Sequence, residues 1–246
     1  ALFSKPSRGA RAEPRRELQL LEGEGAAGDA HVAAASPRQL LLLDEGARAR
    51  LGTAPGAARE NVLLEGLDLH ALGSGAVVRL GDAGASVRLT FACDPCHKLV
   101  PALPEGTSLG AVAHCRGMLA TVVAGGPVRV GDAAGAAAGV FQALPEKPQE
   151  RFQLLLRLLP PGRVVTYNDL VEMLGVFQSS LRVLPLYLKR AVASGLPAHR
   201  VVDSAAMLVR HVPKQCELLR AEGVEVEPAP GGGQRVDLGR FRWRPE

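Results

Sequence analysis

The stretch Gly162-Arg163-Val164-Val165-Thr166-Tyr167-Asn168-Asp169-Leu170 decides the fold of the second half of this chain, because it passes from a short extended piece into a helix. Thr166 stands where a side-chain oxygen can cap the first helical turn. Apolar residues recur on one face of the helix that follows, and Gly175 ends it. The stretch therefore predicts a short strand, a cap and a short helix, in that order.

Two further helices are predicted on either side of this stretch. The helix before it is stopped by Pro160-Pro161-Gly162, and its apolar face consists of Phe152, Leu155, Leu156 and Leu159. The helix after it has an apolar face of Leu181, Leu184, Leu188 and Val192, with Arg182, Lys189 and Arg190 on other faces. Pro185 is compatible with this helix if the regular helix starts near Ser180 or bends there. Two short helices joined by a glycine-containing turn predict a helix-turn-helix that presents its second helix to DNA.

The excess positive charge lies in this same part of the chain. The 246 residues carry a formal net charge of +4; residues 151–246 contain 14 Lys and Arg against 9 Asp and Glu, and residues 1–150 contain 15 against 16. Phosphate contacts supply the sequence-independent part of nucleic-acid affinity, so a DNA-binding module joined to a different module is indicated. A solvated basic face without a partner stays an alternative. Near the end, alternation of cations with Phe241 and Trp243 predicts an edge strand, or else a tail that stacks on bases.

A domain boundary is predicted at residues 145–150, where two prolines and alternating charges separate a Gly- and Ala-rich half from a Leu-rich one. We assign residues 1–144 to the first domain, 145–150 to a linker and 151–246 to the second. Turn sequences separate short apolar segments in the first domain, which predicts a mainly β fold, in the form of a barrel. The predicted strands lie at residues 39–43, 76–80, 87–91 and 128–130, and a brief helix lies at 44–50.

The second domain resembles the O6-alkylguanine-DNA alkyltransferases. The resemblance rests on residues 162–170, on Pro197-Ala198-His199-Arg200-Val201-Val202, on residues 218–223 and on the tail from Arg235. Ala198 stands where that family has its nucleophilic Cys, and this replacement is typical of the alkyltransferase-like proteins. The resemblance implies an α-rich winged helix-turn-helix that binds double-stranded DNA through the minor groove and flips an O6-alkylguanine into a pocket. It also implies that the lesion is handed to another pathway such as nucleotide excision repair, without alkyltransferase activity.

The same resemblance assigns roles to individual residues. Tyr167 would rotate the phosphate next to the target nucleotide, and Arg182 would enter the base stack as an arginine finger, with Arg190 or Lys189 as alternatives. Ala198 would leave room in the lesion pocket for a larger alkyl group. Tyr167, Ala198 and Glu222 would line that pocket. The predicted DNA-binding residues are Tyr167, Arg182, Ala198, His199 and Arg200, and His199 with Glu222 would persist as a buried hydrogen-bonded pair.

The first domain resembles MOSC domains, which occur in molybdenum-cofactor sulfurases. Five blocks carry the resemblance in order: residues 25–31, 37–39, 59–67, 95–99 and 126–132. The family implies a β-barrel with one reactive Cys for carrying sulfur or meeting the molybdenum cofactor, and Cys96 stands at that position as a candidate catalytic residue. Ala30 replaces an Arg of the usual Gly-Asp-Arg-His pattern, which removes one positive group for an anionic ligand.

The segment Cys93-Asp94-Pro95-Cys96-His97 has three interpretations. It matches the attachment pattern of c-type haem, which requires an exported chain and a second axial ligand. With His114 and Cys115 it would supply four ligands for zinc. We favour a single functional thiol at Cys96 without a metal, the other cysteines being small apolar residues.

Three functional classes remain open. The first is non-catalytic recognition of alkylated DNA fused to a MOSC module; the second is a sulfur-transfer or molybdenum-cofactor enzyme with an accessory DNA-binding domain. The third is a helix-turn-helix regulator that reads sequence rather than damage. The absence of a run of about 18 apolar residues argues against a membrane helix. The start of the chain does not read as a secretory signal, so a cytoplasmic location, or a nuclear one in a eukaryote, is expected.

Overall fold

A computed structural model describes residues 1–244 and divides the chain into two compact units, Ala1–Leu144 and the part from Pro145 onward. The first unit is rich in strands and the second in helices, as the sequence predicts. Residues 148–150, which we placed in the linker, form the first turn of a helix that begins at Pro148. None of the helices within residues 1–244 is long and apolar enough to cross a membrane.

Two sheets make up the first unit. Within the described residues its strands are β1 (Leu2–Ser4), β2 (Glu13–Arg15), β3 (Glu17–Leu21), β4 (Gly25–Ala26), β5 (Leu40–Asp44), β6 (Val62–Leu64), β7 (Val77–Leu80), β8 (Ala85–Ala92), β9 (Met118–Ala124), β10 (Gly126–Arg129) and β11 (Ala134–Ala137). The larger sheet has the order β11-β7-β8-β9-β5-β6-β1-β2, and the smaller has the order β10-β3-β4. The four strands predicted from the sequence are confirmed, whereas closure into a barrel stays a prediction.

Strand β5 shows why the run of leucines at its centre is extended. Leu42 belongs to the main core and Leu43 to a second apolar cluster that includes Leu51, so both faces of the strand are buried. Asp44 ends the strand and starts helix α1 (Glu45–Leu51), because its Oδ1 accepts a hydrogen bond from Ala47 N–H at 2.7 Å. The short helices α2 (Leu69–Leu72), Val100–Ala102 and Gly110–Val112 lie in the connections.

Helices and two small sheets make up the second unit. Within the described residues these are α3 (Pro148–Leu158), β12 (Val165–Thr166), α4 (Tyr167–Met173), a 3-10 helix (Gln178–Arg182), α5 (Leu184–Ala193), a 3-10 helix (Ala198–Arg200), β13 (Val201–Val202), α6 (Gln215–Ala221), β14 (Val226–Pro228), β15 (Gln234–Val236) and α7 (Leu238–Phe241). Strands β12 and β13 pair in parallel, and β14 and β15 pair as an antiparallel hairpin. Fully buried Phe152, Leu156, Leu170 and Leu188 form the centre of the core.

The predicted cap of α4 is present and is part of a larger hydrogen-bonded network. Thr166 Oγ1 accepts from Asp169 N–H at 3.2 Å, and Asp169 Oδ2 accepts from Thr166 N–H at 2.8 Å, which makes a reciprocal capping box. Arg242 Nε donates to Asp169 Oδ1 at 3.1 Å. The start of the helix-turn-helix is therefore fixed to the end of the described chain.

The second helix of the helix-turn-helix begins later than we predicted. Residues 178–182 form a 3-10 helix, and the regular helix starts at Leu184 rather than near Ser180. Pro185 then lies in the first turn, where its missing N–H breaks no helical hydrogen bond. The proline therefore sets where the α-helix starts and leaves Arg182 in the turn before it.

The edge strand predicted through Phe241 and Trp243 is reduced to a single parallel β-bridge between Arg242 and Val164. Residues Leu238–Phe241 form the one-turn helix α7 instead, because the Asp237 side chain accepts from Gly239 N–H at 2.8 Å and so initiates a turn. Beyond it, Trp243 N–H donates to Val164 O at 2.8 Å. A local cap has overridden the alternating pattern.

Glu222, at the end of α6, joins three distant parts of the second unit. Its carboxylate accepts from Arg200 Nη2 at 2.7 Å, lies 2.8 Å from His199 Nε2 and accepts from Gly162 N–H at 3.0 Å. Burial raises the pKa of Glu222, but these partners outweigh burial and lower the pKa from 4.5 to about 2. Because the folded pKa lies below the ordinary value, the charged form stabilises the folded unit at neutral pH. This stabilisation is lost as the pH falls from about 4.5 towards 2.

We predict that Glu222→Gln lowers the free energy of unfolding of the full chain by about 2 kcal/mol at pH 7, because charge-assisted hydrogen bonds are lost. The difference from the wild type should shrink as the pH approaches the folded pKa of Glu222. Urea unfolding at several pH values measures it. Glu225→Gln is the matched control, since Glu225 pairs with Arg240 at the exposed surface, and it should change little. A Glu222→Gln deficit that is independent of pH would contradict this role.

Candidate functional site

Ala198 is the residue that the resemblance places where the alkyltransferases have their alkyl-accepting thiol. It begins the 3-10 helix Ala198–Arg200, and only 1% of its surface is exposed. Tyr167 packs against the apolar cluster that contains Ala198, so two of the three predicted pocket residues belong to one cluster. A methyl group has no lone pair, and Ala198 therefore cannot accept an alkyl group.

His199 and Arg200 are held by the protein itself. The hydrogen-bonded pair that we predicted between His199 and Glu222 is present, at 2.8 Å. Arg200 donates to Glu222 and, through Nη1, to Leu159 O at 2.6 Å, while Gln215 Nε2 donates to His199 O at 3.0 Å. These bonds fix the backbone around Ala198. The DNA-binding roles of His199 and Arg200 stay predictions, since their polar groups have internal partners.

Tyr167 presents a hydroxyl that has no hydrogen-bond partner among residues 1–244, although the atom is buried. Burial, together with the carboxylate of Asp203, raises the pKa of Tyr167 to about 12. The hydroxyl is therefore protonated at neutral pH and has a proton to donate. A phosphate oxygen that approached it would be a suitable acceptor.

Arg182 lies at the end of the 3-10 helix before α5 and is exposed. Its side chain makes no hydrogen bond or ion pair with any residue in the described part of the chain. Arg190, one of its two predicted alternatives, donates to Gln149 Oε1. Lys189 is exposed on α5. Of the two arginines, Arg182 is thus the one that keeps its guanidinium available for a ligand.

We did not identify from the sequence a segment without acidic residues around these side chains. Residues 173–202 contain no Asp or Glu and four Lys or Arg, although the chain as a whole is close to balanced. This acid-free segment runs from the end of α4 through α5 to β13. Counting acidic residues by segment would have found it. The absence of negative side chains there suits a surface that meets phosphates.

Arg151 is a second residue that the sequence did not single out. It is 6% exposed, its Nε donates to Leu174 O at 2.9 Å, and its Nη1 donates to the carbonyls of Pro145 and Glu146. An arginine on a helix is ordinarily exposed, so no sequence signal marks it. Its role is to hold the start of the unit against the end of α4.

Cys96 has a chemical environment that distinguishes it from the other cysteines. Arg116, itself buried, places Nη1 3.1 Å from Cys96 Sγ. Partial burial raises the pKa of Cys96, but the Arg116 charge and a hydrogen bond from Lys98 N–H outweigh it, so the net shift is downward. Burial instead raises the pKa of Cys93. The thiolate is the reactive form of cysteine, and it is favoured at Cys96.

The zinc alternative finds no support in the geometry. Among residues 1–244 no three His, Cys, Asp or Glu side chains are gathered so as to hold a metal ion. In the segment that suggested zinc, Cys93 is buried while His97 and His114 are exposed. The two histidines therefore do not join Cys93 in a common site.

Two of the blocks that resemble MOSC domains, residues 25–31 and 59–67, meet Lys5 in a buried polar cluster. Lys5 Nζ donates to Asn61 Oδ1 at 3.0 Å and lies 3.3 Å from Asp29 Oδ2, while Asn61 Nδ2 donates to Asp29 Oδ2 at 2.8 Å. All three residues are at most 5% exposed. Asp29 and Asn61 therefore connect Lys5, directly after β1, to the residue that precedes β6.

Comparison with known proteins divides the chain in the same way. The model of the MOSC domain family matches residues 29–134, and the model of the 6-O-methylguanine DNA methyltransferase DNA-binding domain matches residues 147–224. Two solved structures are similar to parts of the chain. The YUAD protein of Bacillus subtilis is 20% identical with a TM-score of 0.45, covering 55% of this chain and 92% of that one. Atl1 of S. pombe, in complex with damaged DNA containing O6-carboxymethylguanine, is 23% identical with a TM-score of 0.36, covering 40% and 95%.

A curated relative carries the assignment further. The DNA base-flipping protein of Escherichia coli (strain K12) is 33% identical over 120 residues, which cover 43% of this chain and 90% of that protein. The match extends over nearly the whole length of that protein. The chain therefore belongs, through its second unit, to the alkyltransferase-like family of DNA-binding proteins, and its first unit carries a MOSC domain.

Proposed function

We propose that this protein recognises O6-alkylguanine in double-stranded DNA by flipping the base, and that it holds the lesion without repairing it. One observation carries the proposal: the hydrogen-bonded frame of His199, Arg200 and Glu222 is intact around a position that has no nucleophile. A hydrogen-bonded frame that is kept although the nucleophile is absent is suited to binding the lesion rather than to repairing it. The E. coli relative is named for base flipping, which supports the same activity here.

The Tyr167 hydroxyl and the Arg182 guanidinium each have a place in this proposal. The Tyr167 hydroxyl would donate to the phosphate beside the target nucleotide. The Arg182 guanidinium would fill the space of the flipped base, where a flat cation can stack and donate to the partner strand. The acid-free segment would face the sugar-phosphate backbone of the DNA. The bound lesion would mark the site for another pathway such as nucleotide excision repair, in the compartment that holds the DNA, cytoplasmic or nuclear.

We predict that the full chain binds a duplex with one O6-methylguanine more tightly than the undamaged duplex, and that Arg182→Ala reduces this preference about 10-fold. Fluorescence anisotropy at one stated salt concentration measures both affinities. Arg157→Ala removes the same charge from an exposed position on α3 and should leave the preference unchanged. Equal wild-type affinity for both duplexes would contradict the proposal, and a preferred undamaged sequence would indicate a regulator instead.

Tyr167→Phe should weaken binding without weakening the fold. The hydroxyl has no partner in the described protein, so its removal costs the free protein no hydrogen bond. We expect an unchanged melting temperature and an affinity for damaged duplex lower by about 5- to 10-fold, the loss of one hydrogen bond to a charged group. A lower melting temperature with unchanged affinity would assign the hydroxyl to the fold.

A second candidate function is thiol chemistry at Cys96, which the contact with Arg116 favours. A thiolate attacks sulfur donors and binds soft metals, so the residue fits either the carriage of sulfur or contact with the molybdenum cofactor that MOSC domains imply. Cys96 would supply the ligand atom, and the charge of Arg116 would favour its deprotonated form. Lys5, Asp29 and Asn61 are bonded to one another. We therefore assign the Cys96 thiol as the reactive group of the first unit.

We predict that Cys96 reacts with iodoacetamide faster than Cys115 or Cys216 at pH 7, as followed by peptide mass spectrometry. Arg116→Met keeps the side-chain volume and removes the charge, so the pKa of Cys96 should rise and its labelling at pH 7 should slow. At a pH above the ordinary cysteine pKa of 9.0 the two proteins should react alike. Slow labelling of Cys96 in the wild type would remove this candidate.

A further inference from the structure

The thiol of Cys96 has a second thiol close to it. Cys93 directly follows β8, and the two residues form a Cys-x-x-Cys pair. The Asp94 carbonyl lies 4.0 Å from Cys93 Sγ and accepts from Arg116 Nη1 at 3.2 Å. The same Nη1 lies 3.1 Å from Cys96 Sγ. Both sulfur atoms therefore lie beside one contact between a guanidinium and a carbonyl.

The two thiols differ in their access to solvent. Cys93 is 3% exposed and packs in an apolar cluster with Leu41, Phe91 and Leu119, whereas Cys96 is partly exposed. A molecule in solution can therefore reach Cys96 but not Cys93. Cys93 can react only with a group that the protein itself brings to it, and Cys96 is the nearest such group along the chain.

The backbone joins a fixed Cys93 to an irregular segment. Cys93 N–H donates to Gly117 O at 3.0 Å, next to the pairing of Ala92 with Met118 in β8 and β9. Gly117 has a φ of +78°, and a Cβ atom there would lie 2.1 Å from Leu42 O, so a larger residue would collide with the backbone of β5. Residues 94–96 belong to neither a helix nor a strand. Backbone rotation within that segment can carry Cys96 towards Cys93.

Arg116 can assist the two thiols in turn. Arg116 is 5% exposed and its Nε has no hydrogen-bond partner within residues 1–244, so this buried guanidinium has a donor that it does not use. Burial raises the pKa of Cys93, the Arg116 charge lowers it, and a thiolate at Cys96 raises it. Cys96 carries no charge once it is bonded to another sulfur atom. The guanidinium then favours ionisation of Cys93 alone.

We propose that the first unit carries out thiol–disulfide exchange, with Cys96 as the attacking thiol and Cys93 as the resolving thiol. The inference rests on the reactive Cys96 of the second candidate function and takes a low-molecular-weight disulfide as the substrate. Cys93 would then be a reacting group rather than a small apolar residue of the core.

The exchange proceeds in two displacements at sulfur. Cys96 Sγ attacks one sulfur atom of the substrate, whose S–S bond breaks and releases a first thiolate. Cys93 Sγ then attacks Cys96 Sγ, and the bond from Cys96 to the second substrate sulfur breaks. The protons of the two cysteines pass to the two released thiolates. The substrate is thus reduced to two thiols, and the protein is oxidised to a Cys93–Cys96 disulfide.

The test incubates the full chain with oxidised glutathione at pH 7, blocks the remaining thiols and measures peptide masses. In the wild type the peptide that contains both cysteines should lose two hydrogen atoms and carry little glutathione. Cys93→Ala should keep at least about 10-fold more glutathione on Cys96, because no resolving thiol remains. Cys96→Ala should leave Cys93 unmodified, since Cys93 is buried.

The matched control is Cys115→Ala/Cys216→Ala, which removes the other two cysteines and should behave as the wild type. Cys115 packs against a different apolar cluster, with Leu43 and Leu99, and Cys216 belongs to the second unit. The wild-type masses need no variant, so they decide the matter if Cys93→Ala is poorly folded by circular dichroism.

Three outcomes would overturn the exchange pair. The first is glutathione held on Cys96 of the wild type as firmly as in Cys93→Ala. The second is a disulfide from Cys96 to Cys115, and the third is a disulfide between two chains on a non-reducing gel. Each of these leaves the reactive Cys96 of the second candidate function standing. If Cys96 takes up no glutathione in either protein, that candidate function fails together with the exchange.

Discussion

The carboxylate of Glu222 is the point on which the arrangement of the second unit depends. It accepts hydrogen bonds from Gly162 N–H, just before β12, and from the side chains of His199 and Arg200, just before β13. The two short strands then run in parallel from this common point. Three donors around one carboxylate keep it charged despite its partial burial, and removal of the charge would leave the Arg200 guanidinium without its principal partner.

In this arrangement the residues that position the chain around residue 198 are present, whereas the nucleophile is absent. In a protein that transfers an alkyl group, a histidine and a glutamate beside the nucleophile would activate it. Here they hold the backbone of a buried alanine. Two groups beside this frame, the buried Tyr167 hydroxyl and the exposed Arg182 guanidinium, have no hydrogen-bond partner within residues 1–244. Binding can therefore give them partners without first breaking an internal hydrogen bond, which favours recognition over turnover.

The first unit differs from the second in which of its polar groups are paired internally. Its charged residues Lys5 and Asp29 pair with each other in the interior, whereas the thiol of Cys96 keeps partial exposure and a guanidinium neighbour. The thiol with the lowered pKa is thus in one unit, and the residues that we propose to contact DNA are in the other. The buried ion pair is stable because both oxygens of Asp29 are satisfied: Asn61 and the backbone of Lys5 donate to Oδ2, and His31 N–H donates to Oδ1.

The sequence by itself determined the two-unit organisation, the strands at the leucine and valine runs, the Thr166 cap, the loss of the nucleophile and the pairing of His199 with Glu222. Local periodicity, caps and motif spacing act over a few residues or within matched motifs, so the chain displays them directly. Tertiary structure decided the rest. The later start of α5 at Leu184, the helix at Leu238–Phe241 and the burial of Arg151 each depend on hydrogen bonds or packing that periodicity does not encode. The contact of Arg116 with Cys96 joins residues 20 positions apart, and the lack of a partner for the Arg182 side chain is visible only once its spatial neighbours among residues 1–244 are known.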